Sequence, residues 1–285
     1  DINFTLVKRL VMYASPLVLA GFAGIINETF DKILLRKILE PEYGIVYAKQ
    51  QVGIYGAVYK LSIIISLFIQ AYRYAAEPFF FAKSKDIDAK KTYANIMNYF
   101  VIAVSVMFLG VNLYLEVFKA ILIPNEEYWV GLKVVPILLL ANVCLGIYYN
   151  QSIWYKLSGQ TKYGAYLAIG GAILTIGLNL IFIPYFGYVA SAWATLAVYA
   201  SMMIASYFFG QKHYPIKYQK RKVLTYIGSS VLIFFIYKLV PFEGVGLYIF
   251  NAILILGFLG LFVFIERLNL SGLKGLIKKS PPSER

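Results

Sequence analysis

From Tyr163 to Gln211 the chain runs for 49 residues without an aspartate, glutamate, lysine or arginine. A helix crosses the hydrocarbon core of a bilayer with about 20 residues, so this run predicts two spans. Pro184 and Gly187, within Ile183–Tyr188, indicate the turn between them. Other runs of low charge predict six more spans. The predicted helices cover roughly residues 10–35, 52–81, 92–115, 134–156, 163–183, 188–210, 222–240 and 245–265.

The composition also indicates a chain that folds in lipid. Of its 285 residues, 60% are hydrophobic and only 14% are charged, whereas soluble domains carry about 25% charged residues. The apolar runs are too long for barrel strands and lack their strict alternation. We therefore expect an all-α membrane protein, a polytopic bundle of eight transmembrane helices.

The basic residues are distributed unevenly between the two sides of this predicted bundle. Of 27 lysines and arginines, 18 fall in one set of loops and ends and six in the opposite set. The positive-inside rule makes the richer side cytoplasmic, which places both ends of the chain there. The net charge of +13 thus indicates the orientation of the chain in the membrane, and no nucleic-acid partner is expected. Because the chain begins at Asp1 without a signal peptide, we expect it to be a piece of a longer protein.

The second predicted helix carries a polar stripe at helical spacing. At about 100° per residue its members fall within roughly 60° of arc. They are Tyr55, Tyr59, Ser62, Ser66, Gln70, Arg73 and Glu77. A charged side chain at mid-membrane is costly, so the stripe predicts a polar cavity lined by this helix. The alternative is that Arg73 and Glu77, four residues apart, only neutralise each other near the inner interface.

Other helices carry weaker polar positions. In the first, Tyr13, Asn27 and Asp31 share a face, which suits either close helix packing or a cavity lining. The fourth carries Asn142, Tyr149 and Lys156 in line, and the first two of these are candidate lining residues. In the fifth, Asn179 suits either an interhelical hydrogen bond or a functional contact.

Residues that support catalysis are scarce. The only histidine, His213, lies in a basic loop predicted to be cytoplasmic, and the only cysteine, Cys144, lies within a span. The chain has no phosphate-binding glycine loop and no serine–histidine–aspartate set. The longest predicted outer connection, about residues 36–50, is short. We therefore expect no catalytic residues, no metal site and no cofactor, and we do not expect an enzyme.

Several segments resemble polysaccharide flippases of the O-antigen type, in the multidrug/oligosaccharidyl-lipid/polysaccharide exporter superfamily. "YASPLVLAGFAGIINETFDKILLRKIL" (Tyr13–Leu39) is similar to their seventh helix. "VGIYGAVYKLS" and "AYRYAAEPFFF" resemble their eighth. Asn150–Tyr199 is similar to the tenth to twelfth, with the spacing of Asn179, Ile183, Pro184 and Gly187 typical of the family.

The resemblance implies a fold of fourteen helices, built from two six-helix lobes and a final pair. In this chain, residues 1–215 would form the second lobe, 216–270 the final pair and 271–285 a cytoplasmic tail. The N-terminal lobe would be absent from this chain.

The resemblance also implies a function in surface polysaccharide (lipopolysaccharide) biosynthesis. The transporter would flip undecaprenyl-diphosphate-linked oligosaccharide from the cytoplasmic to the periplasmic leaflet of the bacterial inner membrane by alternating access. Its partners would be that substrate, membrane lipids and other polysaccharide assembly proteins. Arg73 would contact the anion. Gln70, Tyr59, Tyr55 and Asn27 would bind sugar, and Glu77 or Asp31 would be the coupling carboxylate.

Two other functions compete with the flippase. A drug/cation antiporter of the same superfamily would place acidic residues deep in the cavity with no arginine beside them, and Arg73 disfavours it. A membrane-embedded polysaccharide polymerase is disfavoured by the short outer loops.

Overall fold

A computed structural model describes residues 3–240 and 244–266 of the chain. This part of the chain is all-α, with ten α-helices, one 3₁₀-helix and no strand. The helices are α1 Phe4–Tyr43, α2 Ile45–Lys83, α3 Ala89–Leu113, α4 Leu115–Leu122, the 3₁₀-helix Glu126–Val134, α5 Val135–Gln151, α6 Ile153–Leu157, α7 Lys162–Phe186, α8 Tyr188–His213, α9 Lys220–Leu239 and α10 Gly244–Glu266.

The predicted number of spans is confirmed. Among the described residues, eight helical stretches are long and apolar enough to cross a membrane. One of them, Glu126–Leu157, combines the 3₁₀-helix with α5 and α6. The chain is therefore a multi-pass membrane protein.

The predicted turn between the fifth and sixth spans lies at Gly187. Helix α7 ends at Phe186 and α8 begins at Tyr188, so one residue reverses the chain. Gly187 has φ 54° and ψ −136°, a conformation that is essentially restricted to glycine. Its N–H donates to the carbonyl of Ile183 at 2.8 Å, which closes the last turn of α7.

The predicted outer connection over residues 36–50 is wrong. Both helices continue through it, and only Gly44, with φ 84°, separates α1 from α2. Leu35, Leu39 and Ala48 are buried here, so packing favours helix although the exposed positions are charged. At about 1.5 Å per residue each helix is roughly 60 Å long, about twice the hydrocarbon thickness. Charges therefore mark where α1 and α2 leave the lipid rather than where they end.

The helices pack mostly against partners that are distant along the chain. Helix α1 lies along α7, α5 lies along α8, and α2 contacts both α1 and α5. The largest apolar core fills the space between α2, α3 and α5, with Ile65, Val101 and Leu139 fully buried.

The last two described helices, α9 and α10, pack against α3 and each other. Tyr226 and Lys222 of α9 both bond to the carboxylate of Glu266 in α10, at 2.7 and 2.8 Å. The predicted division into a lobe and a final pair stays a prediction. The predicted tail, 271–285, lies outside the described residues.

Replacing Gly131 by alanine is expected to destabilise the fold. A Cβ at Gly131 would lie 2.6 Å from Cγ2 of Ile54 and 2.8 Å from Cγ1 of Val58, so the 3₁₀-helix would have to move away from α2. Overpacking of this kind costs about 1–3 kcal/mol. Cys144 is the only cysteine and is buried. A thiol-reactive dye therefore labels the protein only when it unfolds, and the temperature at which labelling occurs gives the melting temperature.

The matched control is Gly110→Ala, because nothing lies within 4 Å of a Cβ at Gly110. Its melting temperature should equal or exceed that of the wild type. If the Gly131→Ala protein has the same melting temperature as the wild type, the contact between the 3₁₀-helix and α2 does not constrain the fold.

Candidate functional site

A cavity of about 620 Å³ opens between α1, α2, α5, α6, α7 and α8. Its polar lining comes from four parts of the chain, one of which, α8, contributes Tyr199. Helix α1 contributes Tyr13, Asn27 and Glu28; α2 contributes Gln70, Arg73 and Glu77; and the α5–α6 region contributes Tyr148, Tyr149, Ser152, Tyr155 and Lys156.

Arg73, Glu77 and Lys156 form a charged centre in this cavity. Oε1 of Glu77 lies 2.6 Å from Nζ of Lys156 and 3.4 Å from Nε of Arg73. One carboxylate thus faces two cations, and the charged centre carries a net positive charge. Its members come from α2 and α6, so the contact also joins two walls of the cavity.

Two further contacts hold the guanidinium of Arg73. Its Nη1 donates to Oε1 of Gln70 at 3.3 Å, and its central carbon lies 4.0 Å from the centroid of the Tyr149 ring. The first contact is along α2, and the second is a cation–π interaction with α5. The Arg73–Glu77 pair therefore does not simply close on itself, because Lys156, Gln70 and Tyr149 share it.

The polar stripe of α2 has different surroundings along its length. In the C-terminal half of the stripe, Gln70, Arg73 and Glu77 line the cavity. In its N-terminal half, Tyr55 and Ser62 are fully buried against neighbouring helices. The stripe is one face of one helix, but only its C-terminal half lines the cavity.

Asp31 of α1 lies beside the buried N-terminal half of the stripe, with 1% of its surface exposed. Its Oδ2 accepts from the hydroxyl of Tyr55 at 2.7 Å, and its Oδ1 accepts from the N–H of Lys32 at 2.7 Å. Nζ of Lys32 lies 4.2 Å from the ring centroid of Tyr59. The structure thus places Asp31, Tyr55 and Tyr59 in contacts between α1 and α2.

A path of hydrogen bonds, the polar ring, begins at Asn27 of α1 and reaches Tyr55 of α2, whose hydroxyl returns it to α1 at Asp31. It passes through four helices, α1, α7, α8 and α2, by side chains and two backbone carbonyls. The contacts are Thr175 Oγ1 to Asn27 Oδ1 (3.0 Å), Asn179 Nδ2 to Thr175 O (2.8 Å), Ser191 Oγ to Asn179 Oδ1 (2.8 Å), Thr195 Oγ1 to Ser191 O (2.8 Å) and Tyr55 OH with Thr195 Oγ1 (3.4 Å).

Asn179 was predicted to make either an interhelical hydrogen bond or a functional contact. The structure shows the hydrogen bond, between α7 and α8. Asn142 likewise joins helices, because its Nδ2 donates to the carbonyl of Ser62 at 3.1 Å. Ser66 is half-buried on α2. Of the predicted site residues, the cavity brings together Arg73, Gln70, Glu77, Asn27 and Tyr149.

Lys156, Tyr148 and Glu28 line the cavity but are absent from the predicted set. Lys156 follows Asn142 and Tyr149 at steps of seven residues, which is a signal that it shares their helix face. Its backbone carbonyl accepts from the hydroxyl of Tyr13 at 3.2 Å, so α1 also contacts the inner end of this wall.

The cavity suits an uncharged or anionic polar ligand better than a metal ion. Within residues 3–240 and 244–266, no three His, Cys, Asp or Glu side chains come together to hold a metal. The charged centre offers a guanidinium and an ammonium, and the surrounding tyrosines offer hydroxyl groups and ring faces. Guanidinium groups bind phosphate and carboxylate in two-pronged geometry.

Comparison with protein-family models, with curated proteins and with solved structures finds no match for this chain. The resemblance to flippases therefore remains one of sequence segments, and the chemistry of the cavity is the basis on which a function can be proposed.

We expect Tyr55→Phe to destabilise the bundle. The change removes the hydroxyl that donates to buried Asp31 at 2.7 Å and leaves that carboxylate with one fewer partner. An unsatisfied buried polar group costs about 1–3 kcal/mol. Thermal unfolding in detergent measures the loss.

Tyr74→Phe is the matched control for this substitution. Tyr74 lies on the same helix with 82% of its surface exposed, so the loss of its hydroxyl should leave the melting temperature unchanged. Equal melting of the Tyr55→Phe and Tyr74→Phe proteins would contradict a stabilising role for the Asp31–Tyr55 bond.

Proposed function

We propose that this chain belongs to a transporter that flips undecaprenyl-diphosphate-linked oligosaccharide from the cytoplasmic to the periplasmic leaflet by alternating access. One observation carries the proposal. In a chain of membrane-spanning helices, a cavity of about 620 Å³ has a net positive charged centre among tyrosine and amide side chains.

The charged centre supports an anionic substrate. Arg73 and Lys156 face a single carboxylate, so the group as a whole attracts negative charge. A diphosphate ester carries negative charge on several oxygens, which arginine can bind with paired N–H donors. A cation as substrate would have to approach both positive side chains.

The rest of the lining supports a carbohydrate. Asn27 and Gln70 present amide groups, and Tyr13, Tyr148 and Tyr149 present hydroxyls and rings. Sugars offer many hydroxyls and apolar ring faces, so they match side chains that are both polar and flat. The volume lies within the range of about 300–1,000 Å³ that small-molecule sites have.

The same proposal assigns a place in the cell and partners. The protein would lie in the bacterial inner membrane with both ends of this chain in the cytoplasm, as the distribution of its basic residues favours. Residues 1–215 would form the second lobe and 216–270 the final pair, opposite an N-terminal lobe outside this chain. Its partners would be the lipid-linked oligosaccharide, membrane lipids and other polysaccharide assembly proteins.

A drug/cation antiporter is a second candidate, and α1 provides the observation that favours it. Glu28 lines the cavity and Asp31 is buried one turn further along the same helix. Acidic groups in these positions suit a cationic drug or a coupling ion. Arg73 and Lys156 weigh against a cationic substrate, while Asp31 and Glu77 remain candidates for ion coupling.

Arg73→Ala in the full-length protein is expected to abolish complementation of a flippase-null strain, measured as surface polysaccharide at equal protein expression. Arg73→Lys keeps the charge but loses the paired donors, so we expect partial activity. Lys60→Ala is the matched control, because Lys60 is an exposed cation of the same helix outside the charged centre.

Full polysaccharide from Arg73→Ala would contradict the proposed role of the cavity. Export of a cationic dye that depends on Glu28 and not on Arg73 would favour the antiporter instead.

A further inference from the structure

One carboxylate oxygen of Glu77 contacts both cations of the charged centre. Its Oε1 is 2.6 Å from Nζ of Lys156 and 3.4 Å from Nε of Arg73. The charged oxygen therefore lies at a point from which one oxygen contacts both cations. In this arrangement the carboxylate has the place that an oxygen of a bound anion would take.

The accessibility of the three side chains supports this comparison. The side chain of Lys156 is 10% exposed, while those of Arg73 and Glu77 are 29% and 34% exposed. Lys156 is thus the least accessible member of the charged centre, and its ammonium contacts Glu77, the most accessible member. An anion that binds the ammonium at this position competes with that carboxylate.

Arg73 has other contacts besides Glu77. Its guanidinium bonds to Gln70 at 3.3 Å and lies over the Tyr149 ring at 4.0 Å. For Lys156 the second contact is made by its backbone, whose carbonyl accepts from the hydroxyl of Tyr13 in α1. Without the Glu77 contact the two cations have a combined charge of +2, which matches an anion with two negative charges.

We propose that Glu77 is a tethered counter-ion that occupies the Arg73–Lys156 anion site and is displaced from it by the phosphate oxygens of the substrate. The inference rests on the proposed function for the identity of that anion. It adds Lys156 to the binding site as its second cation, and it gives Glu77 the role of a competitor rather than a ligand. The affinity of the site is then set by how strongly Glu77 holds the two cations.

The test is the affinity of the detergent-solubilised full-length protein for two probes, inorganic diphosphate and farnesyl diphosphate, measured by calorimetric titration. Glu77→Gln keeps the shape of the side chain but removes its charge. Because a competing charge at ion-pair distance is lost, the variant should bind both probes roughly tenfold to a hundredfold more tightly than the wild type. If only farnesyl diphosphate gains affinity, the apolar chain contributes to the site; if both gain equally, the phosphates suffice.

The chain offers a matched control in Glu40→Gln. Glu40 pairs with Arg36 four residues away at 3.0 Å, as Glu77 pairs with Arg73, but its pair lies near the outer end of α1. Its substitution should leave both affinities unchanged. In the Glu77→Gln background, Lys156→Gln should lower the affinity at least tenfold, because it removes the second cation.

Unchanged or weaker binding by a folded Glu77→Gln protein overturns the inference and makes Glu77 a structural brace. If that variant does not fold, Glu77→Asp decides the question. It draws the carboxylate back by one methylene, so an intermediate gain in affinity supports displacement, and no gain overturns it. Tighter binding in Glu77→Gln, together with full complementation by Arg73→Ala, would retain the anion site and reject the flippase.

Discussion

A charge in the hydrocarbon region needs a partner, because lipid cannot solvate it. In this bundle the carboxylate of Glu77 partners Arg73 on its own helix and Lys156 on α6. The contact therefore fixes the distance between two walls of the cavity. Tyr13 extends this connection to α1 through the backbone of Lys156. The mouth of the cavity at Glu77 depends on these few contacts.

The end of the cavity at Asn27 is held differently. There the polar ring joins α1, α7, α8 and α2 through mostly neutral groups, with Asp31 attached by the hydroxyl of Tyr55. Neutral hydrogen bonds avoid most of the desolvation that an ion pair requires. The bundle thus combines a neutral hydrogen-bonded region around Asn27 with a charged region around Glu77 that lines the cavity.

The sequence predicted the parts of this arrangement that depend on one helix at a time. The spans, the turn at Gly187 and the face shared by Gln70, Arg73 and Glu77 all follow from local composition or period. The helical spacing of polar residues shows that they share a face, but it does not show what packs against that face. Tyr55 and Asn142 were therefore predicted as lining residues although they join helices. Lys156 was missed because a lysine at the inner end of a span is also expected from membrane topology.

The turn at Gly44 has a mechanical consequence. Tyr13 on α1 and Glu77 on α2 line the same mouth of the cavity, and each is roughly 50 Å from Gly44 at 1.5 Å per residue. A single residue thus joins the two helices far from the ends that line the cavity. At that distance, a change of ten degrees in the angle between the helices at Gly44 would move those ends apart by about 9 Å, which is wider than a sugar ring. The backbone angles of one glycine therefore bear on the width of the cavity mouth.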